Sequence, residues 1–171
     1  MDGFMDTIDG FFSGKSREKI LLIMKDSNVG AFAVCGAICW FGWQMAFLPM
    51  IKWQQLILIH CLSRWGIIYL ALISDYPRES GTGKFFIENV KTSQLVFGFF
   101  INLGLIFWLG WYNLLLIVFI FLYGWLVSIL SKRKIGGITG DVLGFFIESS
   151  SLLSLLIISL LNKIPAVLNF I

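Results

Sequence analysis

Three aspartates open the chain at a spacing that would place them on one face of a helix. In MDGFMDTIDG they are Asp2, Asp6 and Asp9, at i, i+4 and i+7. Like charges held that close repel one another. The cluster is tolerable either as a fully solvated acidic face or around a hard divalent cation with oxygen ligands, for which Mg²⁺ is the leading choice. Spacing alone leaves both readings open. Gly3 and Gly10 beside the acids favour the metal, because bare backbone lets a ligand approach.

A second group lies far downstream, in KRKIGGITGDVLGFFIESS. Lys132, Arg133 and Lys134 precede Gly136, Gly137 and Gly140, and Asp141 follows at the start of an apolar run. No Gly-Lys-Ser/Thr closes it, so it is not a Walker loop. It can be read as a phosphate cradle of backbone N–H groups with cations nearby. It can equally be an interfacial turn followed by close helix packing through Gly140 and Gly144. Arg64 and Glu148 form a third group, since both fall inside apolar runs where charge is expensive. Each is expected to face a polar interior, pairing with the other or flooring a polar site. Counting along the helices puts Glu148 ~10 Å and Arg64 ~15 Å from the charged end, so a snorkelling guanidinium could span the gap. His60 reads as a packing or interface residue, and Cys35, Cys39 and Cys61 as small buried hydrophobes.

The elements that must position these groups follow from composition. Of 171 residues 58% are hydrophobic and 13% charged, about half the charge of a soluble domain. The apolar residues come in long blocks, so the fold class is all-α. The expected molecule is a polytopic integral membrane protein of about five transmembrane helices, forming a single membrane domain over 1–171. Spans are expected at about 29–51, 55–74, 95–110, 113–130 and 142–161. Residues 1–28 are expected to form an amphipathic acidic segment at the membrane surface, broken near Gly10, Ser13 and Gly14. Asp26 or Ser27 is expected to cap the first span.

Alternate loops then differ sharply in charge. One side collects Lys15, Arg17, Lys19, Lys25, Arg78, Lys84, Lys91 and the 132–134 run, and the other only Lys52 and Lys163. The positive-inside rule makes the first side cytoplasmic. Nine of the ten acidic residues, Glu79 among them, gather on the same side. A net charge of +3, dispersed through short loops, excludes nucleic acid as a partner.

Four stretches together resemble the cobalamin synthase family, the adenosylcobinamide-GDP ribazoletransferases of late corrinoid assembly. They are DGFMDTIDGFFSG at 2–14, IMKDSNVG at 23–30, SRWGIIYLALISDYPRESGTGKFF at 63–86 and KIGGITGDVLGFFIE at 134–148. The resemblance implies a multi-pass, Mg²⁺-dependent transferase of the cell inner membrane with its active face cytoplasmic. Such an enzyme joins α-ribazole, or its 5′-phosphate, to adenosylcobinamide-GDP and expels GMP. Carried onto this chain, it assigns Asp2, Asp6, Asp9 and Asp141 to metal, with catalytic roles for Asp6 and Asp26. Asp26 is a fifth candidate ligand or a base for the ribazole 5′-hydroxyl. Arg78, Lys84, Lys132, Arg133 and Lys134, with the three loop glycines, are assigned to phosphates. The family carries a further N-terminal stretch with a membrane segment and a histidine ahead of the first acidic motif, so a shortened chain or a fragment is expected. A second copy of the chain is left open as a partner.

Two rival readings remain. A CDP-alcohol phosphotransferase would place Asp-Gly before an Ala-Arg pair, whereas Asp9-Gly10 is followed here by Phe11, Phe12 and Ser13. A transporter or membrane scaffold would use Arg64 and Glu148 for a pathway or for packing, with no need for acids crowded on one face.

Overall fold

The computed structural model describes residues 1–78 and 81–168, with Thr82 and 164–168 described as backbone only. Glu79 therefore lies outside the described residues. Two short helices, α1 (Asp2–Phe12) and α2 (Arg17–Ile23), precede the bundle. It comprises α3 (Ala31–Phe47), α4 (Trp53–Leu72), the short α5 (Thr82–Asn89), α6 (Thr92–Leu109), α7 (Leu114–Ile135) and α8 (Gly140–Leu168). Five of these segments are long and apolar enough to cross a membrane: 31–50, 53–72, 92–109, 111–135 and 140–163. This is a multi-pass helical membrane protein, and among the described residues no strand occurs.

Chain punctuation sets the turns. Gly14, at φ 65°, separates α1 from α2, so the break falls after Gly10 and not at it. Gly136, at φ 84°, ends α7 in the left-handed conformation that a side chain resists. Lys132, Arg133 and Lys134 occupy the last turn of α7, where cations oppose the helix dipole. The eight-residue α5 lies between the spans expected at 55–74 and 95–110, a stretch for which the sequence reading names no helix.

α4 is the central post, packed against α8, α6 and α7, while α3 leans on α8 and α1. The core at this crossing is Leu58, Leu62, Ile120, Phe146, Leu155 and Ile158. Close approach depends on small residues. A Cβ on Gly66 would lie 2.7 Å from the Phe146 ring, and buried Ser151 donates to Ser63 at 2.9 Å. Trp43 and Trp65 fasten neighbouring helices by donating to the carbonyls of Leu152 and Leu95, at 2.9 and 2.8 Å. The outer faces of α3 and α6 carry exposed Phe32, Phe41, Met45, Phe97, Phe100 and Phe107, as a lipid-facing surface requires.

α1 does more than rest on a surface. Its buried Phe4, Thr7 and Gly10 turn inward, and it packs against α8 and α3 at the charged end of the bundle. Phe4 stacks on Phe145 with ring centroids 5.7 Å apart.

Candidate functional site

Gly3 brings two backbones into contact in this region. A Cβ there would stand 2.8 Å from both the Cα and the carbonyl oxygen of Asp141, so the backbones of α1 and α8 touch. Gly10 has a similar task towards α2, where a Cβ would lie 2.6 Å from Met24 Cγ. Both glycines thus serve helix packing, in place of the ligand approach expected of them. The result is nonetheless chemical, because the contact sets Asp2 and Asp6 beside Asp141 across 139 and 135 residues of sequence.

Those acids line one pocket of ≈ 400 Å³ with Asp9, Asp26, Lys25, Ser27, Asn28 and Met5. Asp6 records how crowded it is. Burial, then the charges of Asp2, Asp141 and Asp9, push its carboxyl from an ordinary 3.8 up to about 6. All four aspartates that the resemblance assigns to metal are therefore brought together, with Asp26 lining the same pocket. Among the described residues no three acid, histidine or cysteine side chains close on a single point.

Asp9 has a second occupation. Its two carboxylate oxygens accept from the backbone N–H of Gly30 at 2.6 Å and of Ala33 at 2.9 Å. It caps α3 from 21 residues upstream, supplying the negative charge that a helix N-terminus favours. The expected caps, Asp26 and Ser27, do not serve; the N-cap position is Gly30, which has no side chain to offer. Asp26 instead accepts from the backbone N–H and side-chain amide of Asn28, at 3.0 and 2.7 Å. These bonds hold its carboxyl below the usual carboxylate range.

The residues expected to meet phosphate have mostly structural partners. Arg78 lies 3.6 Å from Asp141 and donates to the Leu21 carbonyl at 3.3 Å. Lys134 donates to the Phe11 carbonyl at 2.6 Å, closing the C-terminal end of α1. Lys84 sits 3.8 Å from Glu88 on α5. Lys132 and Arg133 are exposed and do not line the acidic pocket. The glycine turn is latched: the Ile138 N–H donates to the Asp75 carbonyl at 2.9 Å and the Gly136 N–H to the Lys132 carbonyl at 3.0 Å. Gly137 packs on Asp75 and Gly140 on Gly83. Thr139 then heads α8, its hydroxyl accepting from the Val142 N–H at 3.4 Å.

Arg64 and Glu148 do not pair. Glu148 accepts from the Trp40 indole at 3.0 Å and stands 3.3 Å from the amino group of Met1. The Arg64 guanidinium folds back 3.3 Å from both the carbonyl and the ring nitrogen of His60. Side chains on a helix lean towards its N-terminus. On α4 that direction leads away from the charged end, which is why the expected snorkelling towards Glu148 fails. His60 and Arg64 are exposed on the bundle surface, and Cys35 and Cys39 are exposed as well, against the expectation that they are buried.

Comparisons with known proteins agree on one family. Its model, described as cobalamin-5-phosphate synthase, matches residues 1–159. A Clostridium tetani protein named adenosylcobinamide-GDP ribazoletransferase is 39% identical over 150 residues, covering 84% of this chain and 60% of that protein. Proteins of the same name from Clostridium kluyveri and Alkaliphilus oremlandii are 34% and 33% identical over 151 and 167 residues. They are covered over 60% and 68% of their length, against 84% and 96% of this chain. The chain thus spans about 60% of the length of the first relatives it matches. No solved structure matches.

Proposed function

The chain belongs to the cobalamin-5-phosphate synthase family, and from that membership we propose that it transfers α-ribazole or α-ribazole 5′-phosphate to adenosylcobinamide-GDP, releasing GMP. The observation that carries the proposal is the pocket itself. The family stretches at 2–14, 23–30 and 134–148, far apart in the chain, meet there and bring five aspartates with them.

The donor set suits Mg²⁺. Every acid is a hard oxygen donor, and the raised Asp6 carboxyl shows carboxylate charge that Arg78 and Lys25 do not fully offset. Mg²⁺ keeps several waters and takes one or two carboxylates directly, so an open ring of acids fits it better than a closed cage would be needed to. Asp2, Asp6 and Asp141 would hold the ion directly or through its waters, while Asp9 contributes through its grip on α3. When bound, it would offset charge on the substrate pyrophosphate and on the departing GMP.

In the reaction a ribose hydroxyl oxygen attacks the cobinamide phosphorus, the bond from that phosphorus to the GMP oxygen breaks, and the hydroxyl proton passes to a base or to water. When the acceptor is the 5′-phosphate, its 5′-oxygen is already esterified, so the attacking group is another hydroxyl of the ribose. Asp26, held ionised by Asn28, is better suited to orient that hydroxyl than to keep its proton. A loose phosphoryl-transfer transition state asks more of positioning and charge than of a strong base. The exposed cations of the charged end support, under the positive-inside rule, a cytoplasmic-facing pocket at the inner membrane.

The test is GMP release in membranes containing the chain. Release that needs adenosylcobinamide-GDP, α-ribazole 5′-phosphate and Mg²⁺ together, with a cobalamin phosphate as product, is the expected result. An Asp6→Asn enzyme with full Mg²⁺-dependent activity would overturn the metal assignment.

A further inference from the structure

Five carboxylates around one cavity make it hostile to the anionic substrate proposed above, so a fixed positive charge facing them has a use. Three of the cations expected to meet phosphate are spent: Arg78 on Asp141 and Leu21, Lys134 on Phe11, Lys84 beside Glu88. Lys25 differs. It lines the acidic pocket, it is close enough for its charge to act on Asp141, and among the described residues its ammonium has no ion pair or hydrogen bond. The sequence accounts for it as one of many topology-setting lysines, which is why it carries no chemical assignment there.

Its backbone is held from both sides. Before it, Met24 is buried against Gly10 and Ile20. After it, Asn28 closes a turn onto Asp26, and Gly30 is clasped by Asp9 so tightly that a Cβ would meet the carboxylate at 2.6 Å. A lysine drawn in only to neutralise the aspartates would lie against one of them, and this one is beyond 4 Å from each.

Resting on the transferase reading, we propose that Lys25 is a substrate-binding residue that grips the pyrophosphate of the GDP-bearing substrate from the wall facing Asp2, Asp6 and Asp141. A divalent cation on one side and a fixed ammonium on the other would bracket the two phosphates. A charge-assisted contact of this kind is worth about 10- to 100-fold in affinity.

The test pairs steady-state kinetics with calorimetric binding of inorganic pyrophosphate in Mg²⁺, on wild type, Lys25→Met and Lys25→Arg. Expected for Lys25→Met is a rise of about tenfold or more in KM for adenosylcobinamide-GDP and in the pyrophosphate dissociation constant. The KM for uncharged α-ribazole should hold, melting temperature should hold, and Lys25→Arg should recover most of the loss. An active Lys25→Met enzyme with both constants unchanged, or with both substrates weakened equally, overturns the role. A wild type that binds pyrophosphate through Lys25 yet releases no GMP would sink the transferase reading and leave this one standing. A wild type that does neither sinks both.

Discussion

Gly3→Ala is the sharpest perturbation of the proposed site, because it adds one methyl and removes no donor. The new Cβ would lie 2.8 Å from the Asp141 Cα and carbonyl oxygen and 3.2 Å from its carbonyl carbon. Ordinary contact needs about 3.5–4.0 Å, and these are backbone atoms that cannot rotate aside. α1 must therefore lift from α8 by about 0.7–1 Å, carrying Asp2 and Asp6 away from Asp141 by a similar amount. Overpacking of this kind costs about 1–3 kcal/mol, against which the better helix propensity of alanine returns at most ~1 kcal/mol. Misplacement of reacting groups by about 1 Å costs about 100-fold in rate. GMP release should thus fall about 100-fold while the melting temperature in detergent drops only modestly. Two controls grade the argument. Gly144→Ala would place its Cβ 3.4 Å from the Gly3 Cα and should be mild, and Gly42→Ala, with nothing within 4 Å, should be neutral or slightly stabilising. A Gly3→Ala protein with wild-type activity and melting would refute the claim that this contact builds the site.

The metal-free protein should lose stability as pH rises from about 4 to about 6. Asp6 binds its proton more tightly folded than unfolded, and ionising it beside Asp2, Asp141 and Asp9 opposes folding fully above about 6. Melting in chelator across that window should show a decline that Asp6→Asn flattens, and Mg²⁺ should stabilise more at pH 7.5 than at pH 5; equal slopes in both proteins would sink the account. Arg64→Leu should stabilise the chain in bilayers by roughly 2 kcal/mol, because the guanidinium faces outward at mid-span and, among the described residues, hydrogen-bonds to His60 alone. Destabilisation on that substitution, read by thermal melting in nanodiscs, would show that Arg64 has a favourable partner.

How much of this was legible in sequence depended on whether the signal is local. The five spans follow from apolar runs long enough to cross lipid, and the end of α7 from KRK followed by Gly136. α5 escaped because eight residues that follow Gly81 and include Gly83 carry too little periodicity to stand out from a loop. The membership of Asp2, Asp6, Asp9, Asp26 and Asp141 in one pocket came from the family pattern, since no spacing rule links residue 9 to residue 141. Arg64 and Glu148 show the opposite limit. Sequence gives depth along a helix, but the azimuth that turns Glu148 to Trp40 and Arg64 outward is set by packing.

The glycines join these two levels. A glycine beside an acid says that a Cβ cannot be tolerated there, but not which atoms exclude it. In Gly3 the excluded space belongs to Asp141, in Gly10 to Met24, and in Gly30 to the Asp9 carboxylate. Each therefore fixes one junction of the pocket: α1 to α8, α1 to α2, and α1 to the start of α3. Asp9 gains its capping bonds only because Gly30 admits it, and the loop bearing Lys25 and Asp26 is held in turn by that cap. The acids bring the repulsion seen at Asp6, and these three backbone approaches hold them together in spite of it. A site built this way is a strained seam among three segments, so its stability in the free protein and its affinity for a cation are opposite faces of one electrostatic cost.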